Sequence, residues 1–137
     1  LDKCQFSPRS YKLLWAFLFL REVNMHSGRI TNKSSSGLAD SLIISSNPSV
    51  LYGLTIYNGK ATAQYIQLHD AASLPADASI PIYPPIQIDT GETKGLSFPE
   101  GRVFSTGIVV CNSSTASTKT IGAADCMFDA QVFALIS

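Results

Sequence analysis

From about residue 40 the chain is a train of short apolar runs separated by turn residues. Runs of that length bury a useful surface only by lying side by side, so the pattern constrains the chain to β-sheet. Leu42-Ile43-Ile44 reads as a first strand, ended by Ser45-Ser46-Asn47-Pro48, where Asn bonds its own backbone and Pro fixes φ. Val50 to Tyr57 follows, with Leu51, Gly53, Thr55 and Tyr57 alternating against Tyr52, Leu54 and Ile56, the period of two that sends one set to a core. Asn58-Gly59 is the strongest local turn signal, because a tight hairpin needs positive φ at its centre, and it is expected to reverse the chain into a strand from Gln64 to His69.

Asp70 to Ser79 is small and polar, a loop broken by Pro75. The next run, Ile80 to Ile88, carries three prolines that remove backbone donors. It is therefore expected at a sheet edge or as an irregular crossing between sheets. Thr93 to Phe98, closed by Pro99-Glu100-Gly101, then Val103 to Cys111 and Cys126 to Leu135 read as further strands. In the last of these Phe128, Ala130 and Val132 alternate with Asp129, Gln131 and Phe133. About eight strands at such spacing predict an all-β, antiparallel β-sandwich, jelly-roll or immunoglobulin-like, with the jelly roll preferred.

Composition narrows the function classes. In 137 residues, 45% are hydrophobic and 15% charged, enough apolar material for one packed domain over residues 40–137. Ten basic residues balance ten acidic ones and none form a block, so the footprint that phosphate recognition needs is missing and no nucleic acid is expected as partner. Residues 25–39 are small and polar, with Ser34-Ser35-Ser36-Gly37, and read as a flexible arm.

Residues 1–24 match the rest in neither composition nor period. Lys3, Arg9 and Lys12 ahead of the apolar Leu13–Leu20 stretch give a weak signal-peptide pattern, but Arg21 and Glu22 follow at once and no small-residue cleavage site appears. The apolar run is far shorter than the roughly 20 residues a bilayer needs, so no membrane partner is expected. Arg21-Glu22-Val23-Asn24 before Met25 is what a purine-rich ribosome-binding string yields when translated. We therefore read 1–24 as a non-native leader with translation starting at Met25, the alternative being an anchoring arm.

Side chains able to do chemistry are sparse. His69-Asp70 places a His beside a carboxylate, yet with His26 in the arm no nucleophile–base pair or His/Asp/Glu cluster can be assembled, so no catalytic residue, metal site or cofactor is expected. Asp89 and Glu92 flank Gly91 but fall short of the six to eight or so oxygens that calcium takes. Asn32-Lys33-Ser34 and Asn112-Ser113-Ser114 match the glycosylation pattern by chance in Ser-rich stretches. Ser113 to Thr120 either presents hydroxyls to a partner or is a solvated turn. Tyr52, Tyr57 and Tyr65 fill a core, cover a sheet, or stack on sugar rings. Cys111 and Cys126 end and begin consecutive strands, where they face each other as a disulfide or stand as buried thiols; Cys4 lies in the leader.

Two segments, LYGLTIYNGKATAQYIQLHDAASLPAD (Leu51 to Asp77) and GRVFSTGIVVCNSSTASTKTIGAADCMFDAQV (Gly101 to Val132), resemble a recurring small protein of tailed-phage and related viral genomes. The resemblance spans Val50 to Val132 and does not reach residues 1–24. It implies a non-enzymatic virion structural protein, a capsid decoration (cement) or head-fibre part. Such a part would be assembled in the bacterial host cytoplasm and act by self-association, a trimer being the expectation, and by contact with other virion proteins. A reducing cytosol favours free thiols at Cys111 and Cys126. The alternative is a host-adhesion module that recognises surface glycans through its loops or tyrosines.

Overall fold

The computed structural model describes residues 30–135, which form eight strands and, among them, no helix. These are β1 (Ile30–Ser34), β2 (Ser41–Ser45), β3 (Ser49–Asn58), β4 (Gln64–His69), β5 (Ile86–Ile88), β6 (Thr93–Phe104), β7 (Ile108–Ser113) and β8 (Cys126–Ala134). The expected leader, the start at Met25 and His26 lie outside the described residues. Two four-stranded antiparallel sheets face each other, a first in the order β1-β8-β3-β6 and a second in the order β2-β7-β4-β5. The pairs β1·β8, β2·β7, β3·β6 and β4·β5 are nested one inside the next. That nesting is what a long hairpin produces when it is rolled up across two sheets, and it defines the jelly roll among the sandwiches considered.

The winding corrects the reading of Asn58-Gly59. Every connection but β4 to β5 carries the chain from one sheet to the other, so β3 and β4 never pair and no hairpin forms there. Positive φ is found instead at Gly91, Gly101 and Ala78. Asn58 is fully buried and works as a polar pin: Nδ2 donates to the carbonyls of Thr62 (3.1 Å), Ile88 (3.0 Å) and Asp89 (3.3 Å), and Oδ1 accepts from Lys60 N (3.0 Å). Gly59 is small because a Cβ there would meet the Asp125 carbonyl at 2.7 Å. A pair chosen for turn chemistry in the sequence is in fact chosen for close approach and buried hydrogen bonding.

The run Val103 to Cys111 is likewise two elements. Its first residues complete β6, its last form most of β7, and Ser105-Thr106-Gly107 crosses between the sheets. Asp70 holds that corner, accepting from Ser105 N and Oγ (3.1 and 2.8 Å), Thr106 N (2.8 Å) and Gly107 N (3.2 Å). Gly107 admits the close approach, since a Cβ would lie 2.5 Å from the Ala71 carbonyl. Earlier in β6, Tyr52 alone stands opposite residues 98–101, because Leu51 pairs with Arg102 and Gly53 with Ser97. The Pro99-Glu100-Gly101 stop is therefore a large bulge within one strand, closed by Gly101 at φ 78°.

The same irregularity shifts the phase of β3. Strict alternation puts Leu51 with Thr55 and Tyr57; the register shift between Leu51 and Gly53 returns Leu51 to the core beside Leu54 and Ile56. The core closes with Phe104 of β6, Phe128 and Ala130 of β8, and Ile66, Leu68, Ile108 and Val110 of the second sheet. Each such large side chain contributes about 1.5–3 kcal/mol by leaving water. β5 is the edge strand that the prolines imply, with residues 80–85 irregular before it. The segment read as an arm contains β1, all of it exposed, and Ala39 exchanges backbone bonds with Cys126 (2.6 and 3.1 Å).

Candidate functional site

Alternation along β4 and β7 sends Ile66, Leu68, Ile108 and Val110 inward, and sets Gln67, His69, Cys111 and Ser113 on the outer face of the second sheet. Those four are nevertheless buried. The Ser/Thr loop after β7 folds back over them: Gln67 Nε2 donates to the carbonyls of Thr115 (2.9 Å), Ala116 (3.0 Å) and Thr118 (3.1 Å). Ser113 Oγ accepts from Thr115 N (3.2 Å) and Thr120 N (2.9 Å), and Thr115 Oγ1 donates to the Thr118 carbonyl (2.7 Å). The hydroxyls of Ser113 and Thr115 are spent inside the loop, which folds over the sheet as a lid while Ser114, Ser117 and Thr120 stay exposed to solvent.

Lys119 fastens the lid. Its side chain is 3% exposed and its Nζ donates at 2.6 Å to Asp77, which is 58% exposed and lies on the other covering loop. The backbones bond as well, Ala78 N to the Lys119 carbonyl and Lys119 N to the Ser79 carbonyl, both 2.7 Å. The Lys119 hydrogen bond holds the Asp77 carboxyl below its ordinary range. His69 Nε2 lies within hydrogen-bond distance of Gln67 Oε1 at 3.2 Å, and burial, then the nearby Lys119 charge, lower its pKa, which favours the neutral ring.

Nothing here activates a nucleophile. Burial pushes the Cys111 thiol up to about 11 and the Cys126 thiol also to about 11, which keeps both protonated at neutral pH. They are not partners: Cys126 belongs to the core between the sheets, whereas Cys111 lies on the far side of β7, and both are free. His69 and Asp70 point to different tasks, the first under the lid and the second at the β6–β7 corner. Desolvation alone would raise the Asp70 pKa, but the donors of Thr106, Ser105 and Gly107 outweigh it and hold the carboxyl low. No group of three or more His, Cys, Asp or Glu able to hold a metal ion occurs among the described residues.

Packing accounts for several further sequence candidates, while Asn32-Lys33-Ser34 lies on the exposed β1. Glu92 Oε1 accepts from Asp89 N (3.0 Å) and lies 3.8 Å from Lys94 Nζ, so the Asp89–Glu92 turn is closed on itself. Asn112 is fully buried, its Nδ2 donating to Gln64 Oε1 (3.3 Å) and the Ala123 carbonyl (3.2 Å), out of reach of a glycosylating enzyme in the folded protein. Tyr52 and Tyr57 lie on β3 of the first sheet and Tyr65 on β4 of the second, so the three tyrosines make no common platform.

A further surface is the outer face of the first sheet. Across β8, β3 and β6 its rows read Phe133–Val50–Val103, Gln131–Gly53–Ser97, Asp129–Thr55–Gly95 and Met127–Tyr57–Thr93. Asp129 is the only charge among them. Val103 is 63% exposed, Met127 and Tyr57 are also open to solvent, and a groove of about 280 Å³ runs between Tyr57, Thr93, Met127 and Ser34. A water-facing sheet normally alternates apolar-in with charged or polar-out. In the sequence this face shows as a scarcity of Lys, Arg, Asp and Glu along the strands, which favours self-association.

No protein-family model matches this chain, and no curated protein matches it. Among solved structures it is similar to the coat protein of Tobacco streak virus, at 13% identity and a TM-score of 0.36, over 79% of this chain and 88% of that one. A likeness that distant carries no argument about what this chain does.

Proposed function

We propose that the protein is a non-enzymatic virion structural module, a capsid decoration or head-fibre part that associates with copies of itself and with a viral lattice. The outer face of the first sheet carries the reading: the paired rows across β8, β3 and β6 present Val103, Tyr57, Met127 and small or polar residues with Asp129 as the one charge in those rows, while Glu100 is exposed in the β6 bulge beside them. A face of that composition is stabilised by covering it, and a second copy is the covering supported by a chain with little charge elsewhere. The resemblance of residues 50–132 to small phage virion proteins supports the same class. The chemistry agrees, because the buried polar groups serve to clamp loops and the thiols are inert. The trimer and the cytoplasmic assembly site belong to this proposal.

The test is charge insertion on the face. Val103→Glu and Met127→Glu, each at an exposed position, are expected to leave the fold intact and to lower the weight-average mass in sedimentation velocity. A double variant that sediments as the wild type at every concentration would remove this face from the interface. A glycan-array signal from the wild type, lost on Tyr57→Ala, would instead favour host adhesion.

A further inference from the structure

The jelly roll has an open side, where β6 ends the order of one sheet and β5 ends that of the other. Arg102 sits there. It pairs with the inward-facing Leu51, so its side chain enters the gap between the sheets, and its Cζ lies 4.3 Å from the centroid of the Tyr83 ring and 4.8 Å from that of Phe98. Tyr83 in turn meets Phe104 edge-on, centroids 5.6 Å apart and planes at 73°. A guanidinium set over two aromatic rings is held in place by their attraction for its charge.

Among the described residues the guanidinium donors have no partner. The ion pairs among the described residues join Lys94 to Glu92 and Lys119 to Asp77, and no described residue accepts a hydrogen bond from Arg102. Beside the guanidinium is a cavity of about 270 Å³, walled by Leu68, Ile86, Leu96, Phe98 and the ring of Tyr83. A largely apolar cleft with a fork-shaped cation that no other described residue pairs matches a ligand with an apolar body and one planar anion. Pro84 and Pro85, just before β5, stiffen one wall and so lower the ordering cost of binding.

We propose that this cavity binds an organic monocarboxylate, its apolar body among Leu68, Ile86 and Leu96 and its carboxylate on the Arg102 fork. A doubly charged phosphate is disfavoured, since a lone cation with apolar neighbours leaves the second charge uncompensated. The volume lies just under the roughly 300 Å³ at which sites for drug-sized molecules begin, which suits a phenyl ring on a short chain. The same chemistry is offered by a free acid and by the C-terminal carboxylate of a peptide ending in an apolar residue.

The experiment is an amide-detected NMR titration of the full chain with 4-phenylbutyrate and, separately, with neutral 4-phenylbutanamide. The acid is expected to bind in the millimolar range or below, to shift signals of Tyr83, Ile86, Leu96 and Arg102, and to bind about tenfold or more tighter than the amide. Arg102→Gln is expected to abolish that preference while leaving amide binding within about twofold, since the apolar wall is untouched. N-acetyl-Leu-Phe run beside 4-phenylbutyrate identifies the source, and tighter binding of either agrees with the proposal. Equal affinity for acid and amide, or shifts confined to other parts of the molecule, would overturn it. The acid–amide comparison in the wild type needs no variant, so a poorly folded Arg102→Gln does not rescue the idea.

Discussion

Asn58→Asp separates the observed role of this residue from the one that local sequence suggests. As the first residue of an Asn-Gly hairpin it would tolerate the change, because Asp-Gly serves that turn about equally well and the effect would stay within about 0.5 kcal/mol. In the structure its amide instead donates to the carbonyls of Thr62, Ile88 and Asp89 from a fully buried position and accepts from Lys60 N. At about 1 kcal/mol net for each of the bonds to Thr62, Ile88 and Lys60, Asn58→Ala loses about 3 kcal/mol. Asn58→Asp keeps the shape but turns an oxygen toward three carbonyls, so its cost is at least that, about 3–5 kcal/mol. Urea denaturation of the full chain at pH 7 should show the midpoint falling by about 2 M with m unchanged. The sign of the pH effect follows: the new carboxyl has a raised folded pKa, so the variant regains stability as pH falls toward the ordinary carboxyl range. A shift of Asn58→Asp within about 0.5 kcal/mol of wild type would refute the buried-pin account.

Other expectations follow from single positions. Gly101→Ala forces a side chain at φ 78° and against Val50, and should cost about 2–4 kcal/mol by denaturation. Ala78→Gly relieves a positive φ of 73° at a residue with a Cβ, and should gain about 0.5–1 kcal/mol; a loss would show that the turn is not strained. Asp70 has a depressed folded pKa, so its contribution is present above the ordinary carboxyl value of 3.8 and disappears as pH falls through the lower folded value. Asp70→Asn should therefore flatten the acid limb of stability against pH. Cys111 and Cys126, both near 11, should resist a thiol reagent at pH 8 in the native protein and react together on unfolding. Fast labelling of either at native conditions would contradict their burial.

The parts of the fold that could be read from sequence are those governed by strand period and by proline. Phe128, Ala130 and Val132 fell on one face as their alternation requires, and the prolines after Ile80 marked an edge. The errors arose where a distant residue decides a local question. Asn58-Gly59 is a turn by its own chemistry, yet Ile88, Asp89 and Asp125 impose a crossing. The corner at Ser105-Thr106-Gly107 was hidden inside an apolar run because its anchor, Asp70, is 35 residues away. β1 was invisible because its own side chains are exposed and its place depends on β8. Lys119, the one charge of a Ser/Thr loop, reads as solvated until Asp77 and the lid are seen to bury it. The Arg102 cradle joins residues from a proline segment and a bulge that no spacing rule connects.

Self-association through a nearly uncharged sheet face is the central claim, and the molar mass of the wild-type chain by light scattering across a dilution series tests it most directly. The account predicts a mass above that of one chain at high concentration, tending to a trimer, and falling on dilution or resisting it according to affinity. A mass of one chain, 14.7 kDa, held from about 1 μM to about 1 mM would contradict it, since a contact weaker than that cannot organise the protein with its own copies.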